Sequence, residues 1–204
     1  MTKQAIIERA APIINEFKSL WERWRFEIEP LRESTPLDFT WAIKWRGALV
    51  RPLQIYIWER QDKQSKSYRI HLISDEKVDY TEVTDDDDLQ GWNDKQRKNW
   101  RHYFRKSLER LTEYLVLAAA RAQATDEAKI HIRKSGKPLY IEIGNHRYEL
   151  LFRLGKTTWT WTIKKWETTP PFGWVKVDSI RRRHEENPVQ ILSRIVKGLC
   201  LSAL

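Results

Sequence analysis

The chain has 204 residues, of which 41% are hydrophobic, and a formal net charge of +9, so we expect a folded core and not wholesale disorder. Its single cysteine, Cys200, excludes an internal disulfide and a cysteine-based zinc site, which fits a reducing, cytoplasmic location. Charged residues interrupt the N-terminus early and no stretch approaches the ~20 apolar residues of a membrane span, so we expect neither a signal peptide nor a membrane partner.

The first predicted element is an amphipathic helix over residues 1–30, whose apolar residues follow alternating spacings of three and four. Pro12 predicts that this helix starts or bends there, and Glu29-Pro30 predicts its end. The apolar stripe is broader than a coiled-coil seam, which favours packing on a sheet or on a partner chain. A homo-oligomer formed through this helix is therefore one interpretation.

Four strands are predicted next, because apolar and polar residues alternate as in an antiparallel sheet with one buried face. Their bounds are 38–46, 52–60, 67–73 and 78–83. A long helix follows, with a cap at Asn93 and an end near residue 123. Its apolar face carries Trp100, Phe104, Leu108, Leu111, Leu115 and Ala118.

A second block of strands and a last helix complete the chain. The strands are predicted at 128–133, 138–143, 146–154, 157–166 and 173–178. Asn187-Pro188 supplies a cap and a first-turn proline for the last helix.

This order predicts an α+β protein: an N-terminal helix followed by two antiparallel four-to-five-stranded sheet and helix units, a ββββα-ββββα layout. The predicted domains are 1–30, 38–123 and 127–204, packed as one globular domain or as two intimate subdomains. In element order, residues 38–204 resemble the double ββββα layout of Whirly and PUR-type single-strand-binding proteins. The lysine–glycine–lysine-type motif of Whirly proteins is absent, so this resemblance assigns no functional residues.

The 11 tryptophans separate into groups by their place in these patterns. Seven occupy inward strand positions or helical stripes and are predicted to fill the core; they are Trp21, Trp24, Trp41, Trp45, Trp100, Trp159 and Trp161. Trp58 and Trp166 combine an outward strand position with nearby cations, which favours stacking on unpaired bases, with burial under a helix as the alternative. Trp92 and Trp174 fit either group.

The positive charge is concentrated in the second half: residues 1–90 have a net charge of −3 and residues 91–204 a net charge of +12. This asymmetry predicts an anionic partner, either nucleic acid or an acidic protein surface, with general solubility as the alternative. Lys44 and Arg46 are predicted to lie beside the outward aromatic residues of the first sheet, and Arg181 to Arg183 to lie in a flexible loop. The candidate nucleic-acid-binding residues are Lys44, Arg46, Tyr56, Trp58, Arg60, Arg97, Arg101, Arg105, Arg133, Tyr140, Arg147, Arg153, Lys164, Trp166, Arg181, Arg182 and Arg183.

Motifs for catalysis, cofactor binding or metal binding are not found in the sequence. The five histidines form no metal-ligand spacing, and Asp85 to Asp88 lack the spaced ligands and glycine of a calcium loop. We therefore expect a non-enzymatic protein without cofactors that binds single-stranded DNA or RNA. One alternative is a protein-interaction module (an adaptor, assembly factor or inhibitor) that uses the first helix and exposed tryptophan and arginine residues. A small-ligand carrier is the third interpretation.

Overall fold

The fold is described from a computed structural model. It comprises residues 2–31, 38–61, 66–74, 77–83, 99–121, 129–132, 139–143, 146–155, 159–169, 173–184 and 187–201. The elements follow one another as a helix, five strands, a helix, five strands and a helix. The chain divides into two compact units, Met1–Glu109 and Arg110–Leu204. The predicted division into three domains remains a prediction.

Helix α1 spans Lys3–Arg23 and begins nine residues before Pro12, so of the two predicted alternatives, a start or a bend at Pro12, the start is wrong. The Thr2 hydroxyl caps its N-terminus by accepting a hydrogen bond from the Ala5 amide at 3.2 Å. The predicted apolar stripe is confirmed as buried. Its fully or nearly fully buried members are Ile6, Ala10, Ile14, Phe17 and Trp21.

The end of α1 was also predicted wrongly, because the helix stops at Arg23 and not at Glu29. A Schellman motif closes it: the Phe26 amide donates to the Trp21 carbonyl at 2.9 Å, and the Arg25 amide donates to the Glu22 carbonyl at 2.8 Å. Arg25 adopts the left-handed conformation that this motif requires, with φ of 67°. The buried Phe26 then directs the chain back toward the core.

Replacing Arg25 by glycine is expected to raise the free energy of unfolding by about 0.5–1 kcal/mol. Glycine reaches the left-handed region without the steric cost that a side chain imposes there. Arg25 is exposed, so its removal leaves no cavity. Urea denaturation of Arg25→Gly beside the native protein checks this, with Arg23→Gly as the control, because glycine inside the last helical turn should instead destabilise the protein by a similar amount.

The first sheet contains five antiparallel strands in the order β1-β2-β3-β4-β5. Their bounds are Glu27–Pro30, Asp38–Trp45, Ala48–Gln61, Lys66–Ser74 and Lys77–Val83. The last four confirm the predicted strands, while β1 was predicted to be helical. Arg46 and Gly47 connect β2 to β3 with positive φ at both positions, as in a type I′ turn. The Glu27 carboxylate accepts a hydrogen bond from the Gly47 amide at 3.2 Å.

One face of this sheet is buried, as the alternation predicts. It carries Trp41, Ile43, Leu53, Ile55, Ile57, Ile70 and Leu72. Helix α1 contacts this sheet, since the Lys18 ammonium lies 5.8 Å from the centre of the Trp41 ring. The opposite face carries Tyr56, Trp58, Arg69 and His71.

Helix α2 spans Trp100–Arg121 and contributes to both units. The Asn99 side chain accepts a hydrogen bond from the His102 amide at 3.3 Å, while the predicted cap at Asn93 lies outside the described residues. The second half of α2 is buried almost all round, as expected for a helix covered on several sides. Its buried residues are Leu111, Thr112, Glu113, Leu115, Val116, Leu117, Ala119 and Ala120.

The second sheet has the order β10-β9-β8-β7-β6 and is also antiparallel. The strands β6 to β10 span Lys129–Ile132, Leu139–Ile143, His146–Leu154, Trp159–Thr169 and Gly173–His184. Its buried face carries Ile141, Leu150, Phe152, Trp159 and Trp161. The Phe152 and Trp159 rings lie 5.4 Å apart across neighbouring strands.

Helix α3 spans Pro188–Leu201 and begins as predicted. The Asn187 side chain accepts a hydrogen bond from the Val189 amide at 3.0 Å, and Pro188 occupies the first helical position. The α+β class and the N-terminal helix are therefore confirmed. The ββββα-ββββα layout is not matched, because β1 adds a strand before the first predicted one and β10 extends far beyond residue 178. Within the described residues, none of the helices combines the length and apolar character needed to span a membrane.

Candidate nucleic-acid interface

The outer face of the first sheet holds an aromatic cluster, called here the sheet 1 patch: Tyr56, Trp58, Arg69 and His71. The register pairs Tyr56 with His71 and Trp58 with Arg69 on neighbouring strands. The Tyr56 and His71 rings stack with centres 5.0 Å apart, and the Trp58 ring lies 5.9 Å from His71. Trp58 keeps 37% of its surface exposed, so the prediction of an outward Trp58 is confirmed.

The charge of the sheet 1 patch is largely balanced within the protein. The Arg69 guanidinium lies 5.6 Å from the centre of the Trp58 ring and forms an ion pair with Glu82 at 2.7 Å. Partial burial, and secondarily the nearby Arg69 charge, lower the pKa of His71, so this ring is neutral at pH 7. The patch is thus aromatic and close to neutral, which suits an apolar surface better than a run of phosphates.

The predicted proximity of Lys44 and Arg46 to these aromatic residues is wrong. Lys44 pairs with Leu49, which precedes Trp58 on β3 by nine residues, and at ~3.3 Å per residue this separation is roughly 30 Å. Lys44 also forms an ion pair with Glu29 at 2.5 Å. Arg46 lies in the hairpin turn, with its guanidinium 5.9 Å from the Trp45 ring.

The outer face of the second sheet brings together more of the predicted residues. In the register, Arg147 lies opposite Trp166, Arg153 opposite Thr160, and Tyr140 opposite Glu149. This confirms that several outward positions share one surface, called here the basic face. Its candidate residues are Tyr140, Arg147, Arg153, Lys164 and Trp166.

Strand β10 extends the basic face. Arg181 pairs with Thr162 and Arg183 with Thr160, both on β9, and Lys176 pairs with Trp166. The prediction that Arg181 to Arg183 form a loop is therefore wrong. Paired positions of an antiparallel ladder lie on the same face, so the register positions of Arg181 and Arg183 are on the basic face, whereas the position of Arg182, paired with Trp161, is on the opposite face.

Carboxylates partly neutralise the basic face. Arg147 donates to Glu142 at 2.8 Å, and Lys164 donates to Glu149 at 3.1 Å. By register, the face has seven basic residues, which are Lys129, Arg147, Arg153, Lys164, Lys176, Arg181 and Arg183, against these two glutamates. The described cations Arg147, Lys164 and Arg153 are ion-paired with Glu142, Glu149 and Glu113, so the positive excess lies at the basic positions that register places on β6 and β10. An excess of basic positions over carboxylates is the electrostatic condition for binding a polyanion.

A buried glutamate supports one cation of this face. Glu113 on α2 is buried, with only 5% of its surface exposed to solvent. Its carboxylate accepts a hydrogen bond from the Leu154 amide at 3.1 Å and lies 3.6 Å from the Arg153 guanidinium. Arg153 itself is largely exposed. Glu113 thus joins α2 to the end of β8 and holds Arg153 near the edge of the basic face.

The predicted basic stripe on α2 is not assembled as a free cationic surface. Arg105 makes two hydrogen bonds to the Glu16 carboxylate on α1 and lies 5.7 Å from the Phe17 ring. The hydrogen bond to Arg105 lowers the pKa of Glu16 and raises the pKa of Arg105, as an ion pair does. Arg101 is half-buried. The role of Arg105 is therefore to fasten α2 to α1.

Six of the predicted residues have no described side chain. Arg97 and Arg133 lie outside the described residues, as do the side chains of Arg60, Arg181, Arg182 and Arg183, of which only the backbone register is described. The sequence interpretation also missed residues that the register now brings to the two outer faces. These are Arg69 and His71 on the first sheet, and Lys176, Glu142 and Glu149 on the second. The alternation marks all five as outward, but only cross-strand pairing shows which residues are neighbours.

No group of three or more histidine, cysteine, aspartate or glutamate residues is placed to hold a metal ion in the part of the chain that the structure describes. No protein-family model, curated protein or solved structure matches this chain. The resemblance to Whirly and PUR-type proteins assigns no roles either, because the element layout on which it rested is not matched.

Proposed function

We propose that this protein is a non-enzymatic, single-stranded nucleic-acid-binding protein and that the basic face is its binding surface. One observation carries the proposal: the β9–β10 register adds Arg181 and Arg183 to the face that already holds Arg153, Lys164 and Trp166. Cations and aromatic side chains on one continuous sheet surface are what stacking and phosphate neutralisation require together.

In this proposal, the aromatic and basic residues have separate roles. Bases stack on Trp166 and on Tyr140, each contributing about 1–3 kcal/mol without a demand for one particular sequence. Arg147 already lies 5.6 Å from the Tyr140 ring, so its guanidinium plane extends that stacking surface. Phosphates bind the cations along β9 and β10.

The salt dependence of binding tests the proposal. A fluorescein-labelled single strand of mixed sequence should bind, and its association constant should fall about 50-fold between about 50 and 200 mM salt if roughly four phosphates are neutralised. A duplex of the same sequence is the control and should bind more weakly, because its bases are not free to stack. Absence of binding at the lower salt concentration would contradict the proposal.

A second candidate function, protein interaction, is favoured by the sheet 1 patch. Its cation is paired with Glu82, and its exposed Trp58 is the type of residue that forms interface hot spots. A protein interaction made through the first helix is less well supported, because the apolar stripe of α1 is buried within its own chain. The same burial removes the support for a homo-oligomer formed through α1. The ligand-carrier interpretation stays a prediction.

A further inference from the structure

Two glutamates lie among the cations of the basic face and surround the position of Tyr140. Glu149 is directly opposite Tyr140 on the neighbouring strand, and Glu142 is two residues further along β7. Residues directly opposite have Cβ atoms about 5 Å apart, and residues two apart on a strand about 7 Å. A base stacked at Tyr140 would therefore have both carboxylates near its edge.

These carboxylates oppose the binding of phosphates. Each repels a backbone phosphate, and a surface that bound only the backbone would bind more tightly without them. Lys164 on β9 is ion-paired with Glu149, but the phosphate contacts at Arg181 and Arg183 are on β10, whereas Glu142 and Glu149 are on β7 and β8. Two strand spacings, about 10 Å, separate β8 from β10, and this is close to the screening length at physiological salt.

We propose that Glu142 and Glu149 select the base bound at Tyr140 and favour cytosine and adenine over thymine and uracil. This inference rests on the proposed function. An ionised carboxylate only accepts hydrogen bonds, and it can take one from the exocyclic amino group of cytosine or adenine. Thymine and uracil present a carbonyl oxygen at the corresponding position, which the carboxylate repels.

Homopolymers of about twelve nucleotides test this selectivity, since that length covers a typical single-strand site. The native protein should bind oligo-dC about tenfold more tightly than oligo-dT, as expected for one or two hydrogen bonds gained and one repulsion avoided. The double variant Glu142→Gln, Glu149→Gln should bind oligo-dT more tightly than the native protein does. Its ratio between the two homopolymers should approach one, because glutamine can both donate and accept.

Glu82→Gln is the matched control, because Glu82 is also ion-paired across antiparallel strands but belongs to the first sheet. It should leave the ratio between oligo-dC and oligo-dT unchanged. Equal affinity of the native protein for both homopolymers, or a ratio that survives in the double variant, would overturn the inference while leaving the proposed function intact. Absence of binding to every homopolymer would overturn the proposed function and this inference together.

Discussion

Replacing Arg181 and Arg183 together by alanine is expected to weaken single-strand binding about thirtyfold at low salt, because two charge-assisted phosphate contacts of ~1 kcal/mol each are lost. The dependence of the logarithm of the association constant on the logarithm of salt concentration should become shallower by about 1.4, at ~0.7 for each single-strand phosphate contact. Both residues pair with threonines of β9 on the basic face. Fluorescence anisotropy titrations at several salt concentrations measure both quantities.

Arg182→Ala supplies the matched control, because it removes the same charge from the same strand but from a register position opposite Trp161, on the other side of the sheet from Arg181 and Arg183. Its salt dependence should stay that of the native protein. If Arg182→Ala reduces the salt dependence of binding as much as replacing Arg181 or Arg183 alone does, the three arginines contribute equally, whichever side of the sheet they are on. The assignment of the basic face would then be wrong.

A second large effect is expected on stability, and it distinguishes a buried core tryptophan from an exposed one. Trp21→Ala is expected to lower the free energy of unfolding by about 3–5 kcal/mol, since Trp21 is completely buried and its ring lies 6.3 Å from that of Phe17. Trp58→Ala should cost about 1 kcal/mol or less, because that ring is part of an exposed surface. Urea denaturation measures both.

A milder pair of variants covers the case in which Trp21→Ala does not fold. Trp21→Phe and Trp58→Phe keep an aromatic ring, and the first should still cost more than the second. Equal losses at the two positions would show that Trp58 is part of the core. The sheet 1 patch would then not be available to any partner.

The alternation of apolar and polar residues was sufficient to locate most strands and their four core tryptophans, and the helical spacing of three and four located the other three. Side-chain direction in a strand has a period of two, so the pattern within residues 146–154 alone predicts both the strand and its buried positions. The start of α3 could also be predicted from neighbouring residues, because Asn187 and Pro188 act within one helical turn. Such features depend on residues that are close in the sequence.

The features that were predicted wrongly depend on interactions outside the local pattern. The apolar spacing of α1 continues to Ile28, but Arg25 takes a left-handed conformation and β1 pairs with β2, so the helix ends early. Arg181 to Arg183 show no alternation, and only pairing with β9 makes them part of a strand. The ion pair between Glu16 and Arg105 joins residues 89 positions apart.

In the candidate interface, too, local features could be predicted and features that depend on strand pairing could not. Outward positions such as Trp58 and Trp166 could be predicted from one strand at a time. Their neighbours could not: the register replaces Lys44 with Arg69 beside Trp58, and it brings Arg181 and Arg183 to the face of Trp166. The register also places Glu142 opposite Arg147 and Glu149 opposite Lys164, which the pattern within one strand does not show.

Ultraviolet cross-linking of a photoreactive single strand, followed by mass spectrometry of the digested protein, tests the placement of nucleic acid on the basic face most directly. Cross-links are predicted on the peptides that contain Tyr140 and Trp166, because zero-length cross-links form where bases stack on aromatic rings. Cross-links confined to the peptides that contain Tyr56 and Trp58 would place the nucleic acid on the first sheet and contradict the proposal.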